Sequence, residues 1–169
     1  METVVEYNHA KEKLMALDKS VLVDAILLLA QESYSASLLV NGLIATQKER
    51  INLFKNYIKK VTFQEDLLGG EQILEILRRA LDLLDPIQMD PKVALKLLET
   101  FYLVDSWAFE STTELDFEFN LLFSNQAYNL FCTFAKKCDD KNYVQQIANR
   151  LLLDDGYGVR AELKQFTLV

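Results

Sequence analysis

Residues 69–107 read GGEQILEILRRALDLLDPIQMDPKVALKLLETFYLVDSW, and the reading of this stretch decides the fold. Gly69-Gly70 is the strongest break in the chain. After it, Ile73, Leu77, Ala80 and Leu84 recur at helical spacing until Asp85-Pro86, where the residue before a proline is driven out of helical backbone. Asp90-Pro91 then opens a second helix. The Asp90 carboxylate can take up free N–H groups of the first turn, and Pro91 occupies the first helical position, where its missing donor costs nothing. Ala94, Leu97, Leu98, Phe101 and Val104 form the inner stripe and predict a helix to about Trp107.

Outward from this pair the pattern repeats. Towards the N-terminus, Asp18 is placed to cap a helix over Lys19 to Ser33. Leu22, Val23, Ile26 and Leu29 form its stripe, widened by Ala25, Leu27 and Leu28, so this helix is expected to be buried on most sides. Ser35 to Gln47 predicts another apolar helix. Ile51, Phe54, Tyr57, Ile58 and Val61 predict the next, whose opposite face carries Lys48, Arg50, Lys55, Lys59 and Lys60. Towards the C-terminus, Leu115 to Phe119 alternates like a strand, but a lone strand would have nothing to pair with, so it reads as the start of a helix. Ala127, Tyr128, Phe131, Phe134 and Ala135 extend the helical pattern to Lys136-Lys137, where positive charge suits a helix C-terminus. Asn142 to Leu153 predicts a further helix, and Val159, Leu163 and Phe166 a last short one after Gly156 and Gly158.

The pair over 70–107 is followed by a second over 115–153, at a spacing of about 40 residues that falls in the range of helical repeats. The expected fold is all-α: a short right-handed stack of antiparallel helix pairs, a HEAT-like α-solenoid, with an irregular helical bundle as the alternative. The expected organisation is one domain over 1–169, with an N-terminal extension helix over 1–17 and a helical core over 18–166.

Leu17-Asp18-Lys19-Ser20-Val21-Leu22-Val23-Asp24, the basic Lys48 to Lys60 helix, the acidic Asp105 to Asp116 turn, and above all Leu151-Leu152-Leu153-Asp154-Asp155-Gly156-Tyr157-Gly158-Val159-Arg160 give the span from Leu17 to Phe166 a family likeness. It resembles an α-helical repeat domain of unknown function in bacterial proteins, including regions that accompany SWIM-type zinc fingers. The resemblance implies a helical-repeat fold and no established activity. The Cys-x-Cys and Cys-x-His ligand pairs of the zinc-finger relatives do not occur in this sequence.

Composition narrows the function classes. A net charge of −7 argues against nucleic acid as a partner, because a phosphate backbone is neutralised by concentrated Lys and Arg. The longest apolar run, Ala25 to Ala30, is far below the roughly 20 residues of a membrane span. The N-terminus shows no basic region leading into an apolar stretch, so no secretory signal is expected. Cys132 and Cys138 lie in or at the end of a helical pattern rather than in a framework of paired thiols, which fits a reducing, cytoplasmic location.

No catalytic or cofactor-binding constellation is predicted. His9 is the single histidine and reads as a surface imidazole on the first helix. Cys132 and Cys138, six apart, match no zinc-ligand spacing, and Cys132 reads as a small packed hydrophobe. Gly156-Tyr157-Gly158 follows a helix and lacks the lysine of a phosphate loop, so it reads as a helix end and tight turn. Asp105, Glu110, Glu114, Asp116 and Glu118 carry oxygen enough for a hard cation but not the calcium-hand pattern; they read as a solvated acidic turn, or as an electrostatic partner of the basic helix within the fold or between copies. Arg160 is expected to bond the last carbonyls of the preceding helix or to pair with Asp154 or Asp155, and Trp107 to anchor its helix end or to mark a binding groove.

The function expected is a non-enzymatic protein–protein interaction module, with Trp107, Glu110, Asp116, Tyr157 and Arg160 as partner-binding residues. The alternatives are a metal-dependent domain or enzyme using the Asp105 to Glu118 carboxylates, and an acidic decoy of a basic protein. One Trp, seven Tyr and ten Phe exceed what a small core needs and leave self-association open.

Overall fold

The computed structural model describes residues 4–63 and 68–167, and every regular element among them is helical, so the chain is all-α. Two compact units, Met1–Ile44 and Ala45–Val169, part later in the chain than the boundary expected after Leu17.

The first unit contains α1 (Val4–Met15), α2 (Lys19–Glu32) and α3 (Tyr34–Ile44); residues 1–3 of the expected extension helix lie outside the described residues. Asp18 caps α2 as expected, its carboxylate accepting from the Ser20 N–H at 3.1 Å. Ser33, extended at φ −130° and ψ 122°, ends α2, and its hydroxyl accepts from the Ala36 N–H at 3.3 Å to start α3. His9 lies exposed on α1. The expectation that α2 is buried on most sides is corrected: α2 contributes no buried residue, and in this unit only Leu38 of α3 is buried among the described residues. The physical reason is number. Three short helices cannot surround one of their own members, so an apolar circumference is left in water.

The second unit holds the main core. α4 (Gln47–Phe63) buries Phe54, Tyr57, Ile58 and Val61 of the predicted stripe, with Ile51 half-buried, and packs on α5 (Gly70–Asp82) and α6 (Pro91–Tyr102). The start of α5 shows why two glycines precede it. A Cβ on Gly70 would run into the Thr112 methyl, so the helix start and the turn around Thr112 touch where no side chain fits. Gly69 donates its N–H to the Gln72 side chain at 3.1 Å, closing the first turn. Asp90 caps α6 as expected, accepting from Lys92 and Val93 N–H at 2.9 and 3.1 Å.

α6 is the pivot. It packs on α4, on α9 (Tyr128–Lys137) and on α10 (Lys141–Leu152), and buries Ala94, Leu95, Leu97, Leu98, Phe101 and Tyr102. It does not run to Trp107: it ends at Tyr102, and a separate short helix, α7 (Asp105–Phe109), follows. The Tyr102 carbonyl, which would accept the Ser106 N–H in a continuous helix, accepts from a buried arginine instead, as described below, and the Ser106 N–H donates to the Asp105 carboxylate at 2.8 Å.

Leu115 to Phe119 opens α8 (Asp116–Leu121), so the alternating segment is helical. Between α8 and α9 lies a π-helical turn, Leu122–Ala127, which no sequence expectation included. The buried Tyr102 hydroxyl donates to the Phe123 carbonyl in this widened turn at 3.1 Å. A 3₁₀ helix, Ala161–Phe166, closes the chain on α10, with Leu163 buried beneath it. Arg50 of α4 pairs with Asp85 at 3.7 Å, an intra-fold partner other than the acidic turn.

Candidate functional site

The end of the second unit where α6 and α10 finish is built around Arg160. Its chain position is set by the turn after α10: Gly158 adopts φ +71°, a backbone state that favours glycine, and its N–H donates to the Asp155 carbonyl at 3.3 Å. The Asp155 carboxylate accepts from the Arg160 backbone N–H at 3.1 Å. The guanidinium is thereby swung inward, and Arg160 is only 3% exposed.

Inside, one guanidinium nitrogen donates to the carbonyls of Leu151 at 3.2 Å and Asp154 at 2.6 Å. The other donates to the Tyr102 carbonyl at 2.8 Å and to the Asp105 carboxylate at 2.5 Å. One cation therefore closes the C-termini of α6 and α10 together, meeting carbonyls that helical bonding leaves unpaired and the negative end of each helix dipole. The fork shape of guanidinium makes this possible; an ammonium could not reach two helix ends in fixed directions. Arg160 Nε has no partner among the described residues. Asp105 is 4% exposed, and burial pushes its carboxyl above the usual carboxylate range against the opposing pull of Arg160.

The sequence offers Arg160 either the last carbonyls of the helix before it, which it does bond, or a pairing with Asp154 or Asp155. Its guanidinium pairs with Asp105 instead, and Asp155 takes the backbone N–H. A partner 55 residues away leaves no local trace in sequence.

Around this buried clamp stands an exposed rim. Leu103 directly follows the Tyr102 carbonyl, and Leu153 lies between the two carbonyls of α10; both are exposed, Leu153 at 85%. Trp107, two residues beyond Asp105, is 39% exposed. Tyr157 stacks on Phe109 with ring centroids 4.9 Å apart and planes 12° from parallel, and donates its hydroxyl to Glu110 at 3.0 Å. That hydrogen bond to Glu110 raises the Tyr157 phenol above its ordinary range. Of the five residues singled out from sequence, Tyr157 bonds Glu110, and Arg160 bonds Asp105, two residues before Trp107. Asp116 stands at the first turn of α8. Leu103 and Leu153 were missed; the available signal was an apolar residue just beyond a helix end.

The acidic residues do not converge. Asp105 is spent on Arg160 and Glu110 on Tyr157, and no group of three His, Cys, Asp or Glu side chains suited to a metal comes together among the described residues. Cys138 is buried and Cys132 half-buried, both as free thiols.

A second ionic cluster sits on the flank of α6. Glu99 is 5% exposed and accepts from Arg150 at 2.6 Å and Lys96 at 2.7 Å. Burial alone would raise its carboxyl, but the hydrogen bonds from Arg150 and Lys96 win, and it titrates below its ordinary value of 4.5. A depressed acid contributes stability that is present above its unfolded pKa and is lost as pH falls through the folded value. The expected result is a midpoint of denaturation that declines as the pH is taken down from 4.5, and a Glu99→Gln chain that is less stable at neutral pH and declines less steeply in acid. Urea titrations at several pH values check this; equal slopes for the two chains would reject it.

No known family, curated protein or solved structure matches the chain.

Proposed function

We propose that the chain is a non-enzymatic protein–protein interaction module that works in the cytoplasm, and that its contact surface is the rim of Leu103, Trp107, Leu153 and Tyr157. The observation that carries this reading is the combination of exposed large apolar side chains with a rigid support: the backbone beneath them is fixed by Arg160 at the ends of two helices. Binding energy concentrates in Trp, Tyr and Arg anchors that need little ordering on contact. Trp107 and Tyr157 are of that kind, and Glu110 adds a polar edge at which a partner's donor can compete for the carboxylate. Two free thiols and the absence, among the described residues, of a helix long and apolar enough to cross a membrane fit the proposed location.

The test compares proteins retained by the immobilised wild-type chain with those retained by a Trp107→Ala, Leu153→Asp chain, in extracts of the cells that make it. Both positions are surface ones, so the fold is expected to survive. A partner bound at least tenfold less by the double variant supports the reading, as loss of a hot-spot Trp requires. Identical retention by the two chains sinks it.

A further inference from the structure

The first unit presents a different surface from the rim, and it obeys a different logic. A helix at a water boundary has a polar side, whereas one that is apolar all round is normally covered all round. α2 comes close to the second kind, with only a narrow polar seam of Ser20, Asp24 and Gln31. Val21 and Leu28 lie a heptad apart on one stripe, Val23 and Leu27 on another, and Ile26 and Leu29 on a third. All six are exposed, each near half of its full area, although α3 lies alongside. On α3, Leu39, Leu43 and Ile44 are exposed as well. Tyr7, Leu14 and Met15 of α1, with Lys11 in the lining, form an open and mostly apolar groove against Leu22 of α2.

We propose that this hairpin of α2 and α3 is the interface of a homodimer, covered in solution by the same hairpin of a second copy. Area is the first argument. Nine half-exposed aliphatic side chains present roughly 600 Å² of apolar surface, at the top of what a monomer ordinarily leaves in water. The stripes of α2 face different ways, so one partner covers only part of this surface on each copy, and the total buried falls below the roughly 1,200 Å² of a stable specific interface, in the range of a weak, concentration-dependent dimer. Charge is the second. From Ser20 to Gln47 the only charged residues are Asp24 and Glu32, so two copies approach with almost no ion to desolvate.

The same scarcity disfavours a lipid surface. Interfacial helices carry Lys and Arg on a polar face, and no basic residue occurs between Lys19 and Lys48. A charged protein partner would find only Asp24 and Glu32 on the hairpin, and Lys11 in the groove, to pair with. A second copy matches the chemistry and, being symmetric, needs only the one patch. The proposal does not use the rim of the second unit, so either can fail alone.

The experiment is light scattering on the full chain during size exclusion, from low to high micromolar concentration. The expected mass is twice that of one chain, falling towards one chain on dilution. Two variants, Val21→Glu with Leu28→Glu and Val23→Glu with Leu27→Glu, test opposite stripes of α2; at least one is expected to return the mass to a single chain while circular dichroism stays helical. A wild-type chain of single mass at the highest concentration overturns the proposal. If amides of α2 are then protected from hydrogen exchange, the rest of the chain is the cover. Co-flotation of the wild type with phosphatidylcholine vesicles, in place of dimerisation, also overturns it. Dimers that persist in both variants place the interface elsewhere and reject the assignment to α2.

Discussion

Replacing Arg160 with methionine is expected to remove about 4 kcal/mol of folding stability, whereas Asp105→Asn removes about half of that. Both side chains are buried and 2.5 Å apart, so a simple ion-pair view predicts similar losses. The geometry predicts unequal ones. Arg160 also serves the carbonyls of Tyr102, Leu151 and Asp154, and its loss leaves these acceptors without their donor, and the Asp105 carboxylate with only the Ser106 N–H, in a dry site. After Asp105→Asn the guanidinium keeps all three carbonyls, the asparagine oxygen still accepts, and the two helix dipoles offset part of the unpaired charge. Burial already raises the Asp105 carboxyl, which says that its ionised form is costly where it stands. Urea denaturation of the two variants decides it: equal losses would mean that the charge pair, and not the closure of two helix ends, holds this corner together.

How much of this was legible in sequence follows from distance along the chain. The stripes of α4, α5, α6 and α10 were readable because burial on one face imposes a spacing within a few residues. The caps at Asp18 and Asp90 were readable because a carboxylate and the N–H groups it serves are neighbours. Arg160 was readable in half: its bonds to the end of α10 are local, and its bonds to Tyr102 and Asp105 are not. The same limit hid the pair between Glu99 and Arg150. The apolar circumference of α2 misled for another reason. Sequence shows that a helix seeks cover but not that the cover lies within its own unit, and the inference of burial on most sides assumed that it did.

Truncating Phe123 to alanine is expected to cost about 4 kcal/mol and to loosen the rim as well as the core. Phe123 is fully buried in the π-helical turn, with ring centroids 5.0 Å from Phe101, 6.2 Å from Tyr102 and 6.1 Å from Phe109. Its position has a sequence signal that was passed over. Phe119, Phe123, Ala127 and Phe131 are all fully buried at intervals of four. In an α-helix of 3.6 residues per turn, each such step drifts by about 40°, so four in a row cannot share a face. The wider π turn between α8 and α9 absorbs that drift and returns Phe123 and Ala127 to the core. The Phe123 ring then supports Phe109, on which Tyr157 stacks, so the core reaches the surface through a chain of three rings. Two readouts follow. Denaturation measures the lost stability, and the fluorescence of Trp107, two residues from Phe109 on α7, reports whether the rim has loosened under conditions where the chain remains folded. A Phe123→Leu chain, keeping most of the volume, is expected to lose less than half as much. If the alanine variant loses stability while the Trp107 spectrum and its quenching stay as in the wild type, the rim is held by Arg160 alone and the ring chain carries no support to it.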